Sequence, residues 1–252
     1  MGIYFNVNLE FDHRFFHKTI KYYADNHLKG YVCVVDGNVL TMAQKNKEYL
    51  NILNSSIINT CDGSSVAMIA GFIQKQPYRA LTGPEIFSKY IEDCNYKQLL
   101  LGSSNDITNK IKETLLLKKI DSKHLHFLPL PILSVSQFDY KIIAKQINEI
   151  KPSIIWVSLG APKQEIFMSN ITPLLEQGVL FGIGAAFNFY IDIIKLPKYK
   201  IGHLKLIWLS RFIAEPRKLF CRIIKFVLII PKLYISERKN AKKLFNTKVI
   251  NK

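Results

Sequence analysis

Three short stretches carry residue types that can do chemistry: "NTCDGSS" around Asp62, "GSSND" from Gly102, and "GAPKQE" at 160–165. Each follows an apolar run and mixes glycine with polar side chains, a composition that suits a ligand-cradling loop and equally a turn with a helix cap. Asp62 is the sharpest of them, because no basic residue stands near it in sequence and a lone carboxylate there could take a proton from a substrate hydroxyl. Capping a helix that starts near Ser64 is the other reading, and spacing does not separate the two. Lys163 and Gln164 fall at the first turn of a helix, where backbone N–H groups and the helix dipole favour an anion. A phosphate or diphosphate is the ligand this arrangement suits.

Other chemistries lack their residues. "GIGAAF" at 182–187 has two glycines of a dinucleotide fingerprint without the third, and no acidic residue ends a following strand at the expected place. There is no Asp-x-Asp, no HExxH and no grouped His/Cys, so neither a metal nor another cofactor is expected, and diphosphate charge falls to basic side chains. Cys33, Cys61, Cys94 and Cys221 form no CxxC and sit mostly among apolar neighbours, as reduced packing residues do.

The elements that would position these loops follow from the apolar pattern. Strand-like runs at 3–8, 31–35, 56–60, 98–102, 124–129, 153–160 and 178–184 alternate with helical signals at 38–54, 83–94, 103–116 and 136–150. Several strand runs are continuously apolar, as in strands buried on both faces of a parallel sheet. The expected fold is therefore α/β and Rossmann-like, a doubly wound, mostly parallel sheet with helices on both faces and ligands at the carboxyl ends of its strands.

Charge divides the 252 residues near position 195. Residues 1–194 carry 19 Lys+Arg against 17 Asp+Glu, whereas 195–252 carry 16 against 2. The first part is expected to be the α/β domain and the second a basic amphipathic helical appendage. On a helix opened by Pro216, the residues Arg217, Lys218, Arg222 and Lys225 fall within one arc, facing Leu219, Phe220, Ile223, Phe226 and Val227. Bulky apolar residues between the charges favour an anionic membrane surface over nucleic acid, each charge contributing about 1 kcal/mol near such a leaflet. A helix packed on the core with a solvated basic face is the alternative. The longest uncharged run in this tail, 226–231, is far short of the roughly 18 residues that span a bilayer. "MGIYFNVNLEFDHR" has no leader pattern, so a peripheral position on the cytoplasmic face of the membrane is expected.

Taken together, "CDGSSVAMIAG", "YRALTGPEIF", "LLLGSS", "WVSLGAPKQEIFM", "GVLFGIGAAFNFY" and "IWLSRFIAEPRKLFCR" make nearly the whole chain resemble the WecG/TagA/CpsF glycosyltransferase family. The resemblance implies transfer of a sugar from a UDP-sugar onto a polyprenyl-diphosphate-linked sugar, with inversion and without a metal, in a bacterial surface polysaccharide pathway such as a teichoic acid linker, capsule or exopolysaccharide. It implies Asp62 as general base and a substrate site drawn from Asp36, Arg79, Gly83, Gly102, Gly160, Pro162, Lys163, Gln164 and Glu165. Arg211, Arg217 and Arg222 match the family's tail arginines, which would fold over the pocket at the membrane and neutralise the leaving diphosphate.

Some positions depart from the family pattern. Val34 and Asp36 stand where members often have Thr and Asn, Asn188 replaces a common Asp, "KLP" at 195–197 replaces Arg-Ala-Pro, and Ile207 replaces a Glu before Trp208. These changes leave the donor sugar open among N-acetylmannosamine, its uronic acid, glucose and other hexoses. A nucleotide-sugar-modifying enzyme and an inactive membrane-binding relative are the rival readings; a homo-oligomer is compatible with either.

Overall fold

The computed structural model describes residues 2–191, 193, 200–201, 204–205 and 216–250, with side chains in the last helix described at 220 and 222–238. Two short strands come first, β1 (Gly2–Tyr4) and β2 (Val7–Leu9), paired antiparallel. The sequence predicts one strand over 3–8; the structure folds it into this hairpin because Phe5 and Asn6 both take positive φ, 54° and 66°.

Among the described residues the central sheet has six strands: β3 (Lys29–Val35), β4 (Ile58–Cys61), β5 (Gln98–Leu101), β6 (Leu125–Leu128), β7 (Ile154–Val157) and β8 (Gly178–Gly182). They lie in the order β4-β3-β8-β7-β5-β6, every neighbour parallel. Alternate residues point to opposite faces, and both faces are buried. Cys33, Leu101, Val157 and Leu180 enter one core, whereas Val34, Leu100, Trp156 and Phe181 enter the other. Burial on both faces explains why these strands are continuous apolar runs.

Among the described residues, nine α-helices accompany the sheet: α1 (His13–Asp25), α2 (Gly37–Ala43), α3 (Lys47–Asn54), α4 (Ser64–Gln74), α5 (Gly83–Ile91), α6 (Asn105–Leu117), α7 (Tyr140–Ile150), α8 (Lys163–Ile171) and α9 (Ala186–Tyr190). Residues of α1, α5, α6 and α9 fill one core, and residues of α2, α3, α4, α7 and α8 the other. The single helix predicted over 38–54 is two. Asn46 takes extended backbone and its side chain accepts from the Tyr49 N–H at 3.0 Å, starting α3 afresh. A two-residue pair, β9 (Lys200–Ile201) and β10 (Leu204–Lys205), precedes the last helix, α10 (Pro216–Ile250). Among the described residues no helix is long and apolar enough to cross a membrane.

The apolar face predicted for α10 divides between two directions. Phe226 and Leu233 are buried in the body of the protein, while Phe220 and Val227 are exposed, together with Leu228 and Ile235. The helix is therefore docked on the core, and it keeps a second apolar side toward solvent. Close approach depends on Gly37: a Cβ there would lie 2.9 Å from the Phe226 ring. Glu237, only 1% exposed, accepts from the Phe5 N–H at 2.8 Å and from Gln74 Nε2 at 2.9 Å, tying α10 to the hairpin and to α4. Removing that carboxylate leaves a buried N–H without its acceptor, which costs about 1–3 kcal/mol. Glu237→Ala is expected to lower the urea-unfolding free energy by about that amount, with Glu237→Gln closer to the wild type; equal midpoints for Glu237→Ala and wild type would refute this anchoring.

Candidate active site

A cavity of about 570 Å³ opens at the carboxyl ends of β4, β3, β8 and β7, four adjacent strands running in from one edge of the parallel sheet, at the sheet end where doubly wound folds bind ligands. Strand β3 and the turn after it supply Val34, Asp36 and Asn38; the end of β4 supplies Asp62; the first turn of α5 supplies Gly83 and Pro84. Gly160, Ala161 and Gln164 come from the β7–α8 turn, Gly182–Asn188 contribute the turn after β8, and Arg222 reaches the rim from α10.

Backbone bonds hold Asp62 in place. Its N–H donates to the Val35 carbonyl at 2.9 Å, and its carboxylate accepts from the Gly83 N–H at 2.8 Å. The neighbouring segment is stitched to β4 as well: Leu81 N–H donates to the Cys61 carbonyl, and Thr60 Oγ1 donates to the Leu81 carbonyl, both at 2.9 Å. Gly63, which has no side chain to cap with, is the N-cap of α4. The Asp62 carboxylate reaches across to the first N–H of α5. That places a half-buried carboxylate on the cavity wall.

Asp36 also lines the cavity, with its Oδ1 accepting from the Asn38 and Val39 N–H groups at 2.9 and 2.8 Å. It is the N-cap of α2. Gln164, 4% exposed, accepts from the Gly184 N–H at 3.1 Å and donates from Nε2 to Glu165 Oε1 at 2.8 Å. Glu165 is fully buried and takes a second bond from the Tyr49 hydroxyl at 3.0 Å. Burial pushes its carboxyl up to about 7, against the pull of those two donors. Tyr49, Glu165, Gln164 and Gly184 thus form one chain of bonds running from the core to the cavity wall.

The structure brings together Asp36, Asp62, Gly83, Gly160, Gln164 and Arg222 on one cavity. Glu165 supports that wall from behind. Lys163 turns elsewhere, its Nζ 5.1 Å from the Phe138 ring. Pro162 is exposed outside the cavity, Gly102 at φ +79° forms the turn out of β5 against Leu159, and Arg79 lines a separate groove beside α4. Arg211 lies outside the described residues, as do positions 195–197, Ile207 and Trp208, and the Arg217 side chain is likewise not described. Among the described residues no three His, Cys, Asp or Glu gather as a metal-holding group. Cys33 and Cys61 pack in the core as expected, but Cys94 is exposed.

The turn after β8 is the part of the site the sequence understates. "GIGAAF" is discounted as a dinucleotide site, yet Gly182, Gly184 and Asn188 line the cavity and Ser158 Oγ donates to the Gly184 carbonyl at 2.8 Å. Its signal was a glycine-rich turn after an apolar strand. What makes it a site is the position of β8 between β3 and β7, a neighbour relation that strand periodicity does not carry.

A sequence model of the "Glycosyl transferase WecG/TagA/CpsF family" matches residues 6–243. Similar curated proteins share one name, N-acetylglucosaminyldiphosphoundecaprenol N-acetyl-beta-D-mannosaminyltransferase. That of Bacillus subtilis (strain 168) is 26% identical over 237 residues, covering 89% of this chain and 86% of its own length. That of Bacillus spizizenii is 23% identical over 223 residues, covering 87% and 84%. That of Staphylococcus aureus (strain NCTC 8325) is 21% identical over 209 residues, covering 80% of each chain.

The buried Glu165 generates a pH dependence of stability. An unfolded chain releases this proton near 4.5 and the folded one near 7. The stabilisation it brings is therefore complete below about pH 4.5 and lost as pH rises through about 7, a change of roughly 3 kcal/mol. Glu165→Gln is expected to flatten the fall of thermal midpoint between pH 4.5 and 8; an unchanged slope in that variant would show that the carboxyl does not titrate there.

Proposed function

Because the chain belongs to the WecG/TagA/CpsF glycosyltransferase family, we propose that it transfers N-acetylmannosamine from a UDP-sugar onto N-acetylglucosamine carried on undecaprenyl diphosphate. The relatives' names supply both sugars and the lipid. The observation that carries the reading is the placement of Asp62: a carboxylate held on the wall of the one cavity that also gathers Gln164, Arg222 and the first turn of α5.

In this mechanism the acceptor hydroxyl oxygen attacks the anomeric carbon of the donor as its proton passes to Asp62. The bond from that carbon to the UDP diphosphate oxygen breaks in the same displacement, so the configuration inverts and UDP leaves. Charge on the departing diphosphate is taken by Arg222 at the rim, with Arg211 and Arg217 from the same tail, because guanidinium groups bind such oxygens in charge-assisted pairs. No metal takes part. Gln164, fixed at both ends of its amide, orients the Gly184 turn against the donor.

The protein works as a peripheral membrane enzyme on the cytoplasmic face. The outward side of α10 carries Phe220, Val227, Leu228 and Ile235 among basic residues, and a surface of that kind settles into the headgroup region of an anionic leaflet.

Loss of a positioned general base costs about 10²–10⁴-fold in rate. Asp62→Asn is expected to lose transfer by at least the lower figure and to keep its affinity for UDP, measured by UDP release and by calorimetry; near-normal turnover would remove Asp62 from the mechanism. EDTA is expected to leave the wild-type rate unchanged, and a rate restored only by added divalent cation would overturn the metal-free reading.

A further inference from the structure

Beside the cavity lies a second depression of about 920 Å³, inside the ~300–1,000 Å³ range of ligand pockets. One wall is α4, through Ser64, Ala67, Met68, Gly71 and Phe72, which recur at helical spacing along one side. The other wall is the segment 75–80, which doubles back toward Gly83. The two walls are held close at Gly71, where a Cβ would lie 2.5 Å from the Gln76 carbonyl oxygen. Tyr78 is fixed by stacking on Phe11 at 4.3 Å between centroids and by a 2.7 Å bond between its hydroxyl and that of Tyr4. The groove is a built feature of the fold.

Its chemistry is apolar with a basic edge. Met68 is 52% and Phe72 75% exposed, large apolar side chains turned into the groove. Lys75, Arg79 and Arg238 stand along the rim. Both walls lead to the active site: Ser64 follows Asp62 by two residues, and Ala80 precedes Gly83, whose N–H binds the Asp62 carboxylate. From Ser64 to Phe72 the helix rises ~12 Å. A groove that is anionic-ligand-friendly at its edge, apolar along its floor and continuous with the catalytic carboxylate fits an isoprenyl diphosphate.

We infer that this groove binds the lipid arm of the acceptor, with the first isoprene units over Met68 and Phe72 and the diphosphate at Arg79. The inference rests on the proposed transferase reading and deepens it by assigning a place to the lipid. With the acceptor sugar at Asp62, the chain leaves along α4 toward the membrane-facing side of α10, so the enzyme reads the lipid directly and does not merely meet it at the bilayer.

The test uses the full chain in detergent micelles, without a bilayer, with N-acetylglucosamine diphosphate linked to either a short alkyl or a long polyprenyl chain. The readout is the ratio of acceptor KM values, short over long. Wild type is expected to favour the long chain. Met68→Glu and Phe72→Glu, at exposed positions that tolerate charge, are expected to reduce that ratio about tenfold, whereas Leu117→Glu on α6 leaves it unchanged. In parallel, a photoreactive isoprenyl diphosphate without any sugar is expected to label 64–80 in the wild type and not in Phe72→Glu. An unaltered ratio, or labelling confined to other segments, overturns the groove. So does an effect of the substitutions on vesicle sedimentation alone, which would assign the patch to the bilayer surface. If wild type transfers to neither acceptor, the proposed function fails, and the photolabelling still decides the groove.

Discussion

The site depends on how one carboxylate is held between two backbones. The N–H of Asp62 continues the parallel ladder by bonding Val35, and its carboxylate receives the first N–H of α5 through Gly83. Both bonds exist only because β3 and β4 run parallel and end together, and because Leu81 is laid against the last residues of β4. A parallel sheet buried on both faces resists sliding, since each strand inserts side chains into two packed layers. The rigidity of the core is thus passed to a functional group at its edge. Precision of this kind is what the proposed displacement at an anomeric centre would require of its base.

A second layer of support approaches from the far side of the cavity and from the tail. Glu165 is buried beside Tyr49 and Gln164, with its carboxyl pushed up to about 7 by burial, so the cavity wall is braced from behind by hydrogen bonds inside the core. Helix α10 does something different. Its Phe226, Leu233 and Glu237 anchor it to the body while Arg222 reaches the cavity rim. In the proposed mechanism, the arginine that meets the developing diphosphate charge is thus delivered by the same helix whose opposite side is proposed to meet lipid. Family membership makes the chain a glycosyltransferase; in the proposed mechanism, membrane contact and catalysis share the one element α10.

Much of this was legible in the residues. Continuous apolar strands gave the parallel sheet, the helical signal over 83–94 became α5, and the loop at Asp62 stood out by its chemistry. What was not legible had a physical reason each time. The hairpin at 2–9 and the break between α2 and α3 turn on single residues, Phe5 and Asn46, whose backbone conformations are set by tertiary or capping bonds. The inward turn of Phe226 depends on Gly37 leaving space for a ring, and nothing in the spacing of α10 reveals which of its two apolar sides finds the core. Lys163 satisfied every local rule for an anion site, yet its ammonium rests on Phe138, while the understated turn at Gly182–Asn188 lines the cavity because of strand order.

The central claim is that this cavity performs a single displacement from a UDP-sugar to a lipid-diphosphate-linked sugar. The most direct measurement follows the anomeric carbon by NMR when the full chain is given UDP-N-acetylmannosamine, labelled at that carbon, with and without a prenyl-diphosphate-linked N-acetylglucosamine. The account predicts that the donor signal is lost only when the acceptor is present and that one new signal of opposite anomeric configuration replaces it. Retention of configuration, or no transfer with this donor or any other UDP-hexose, would contradict it.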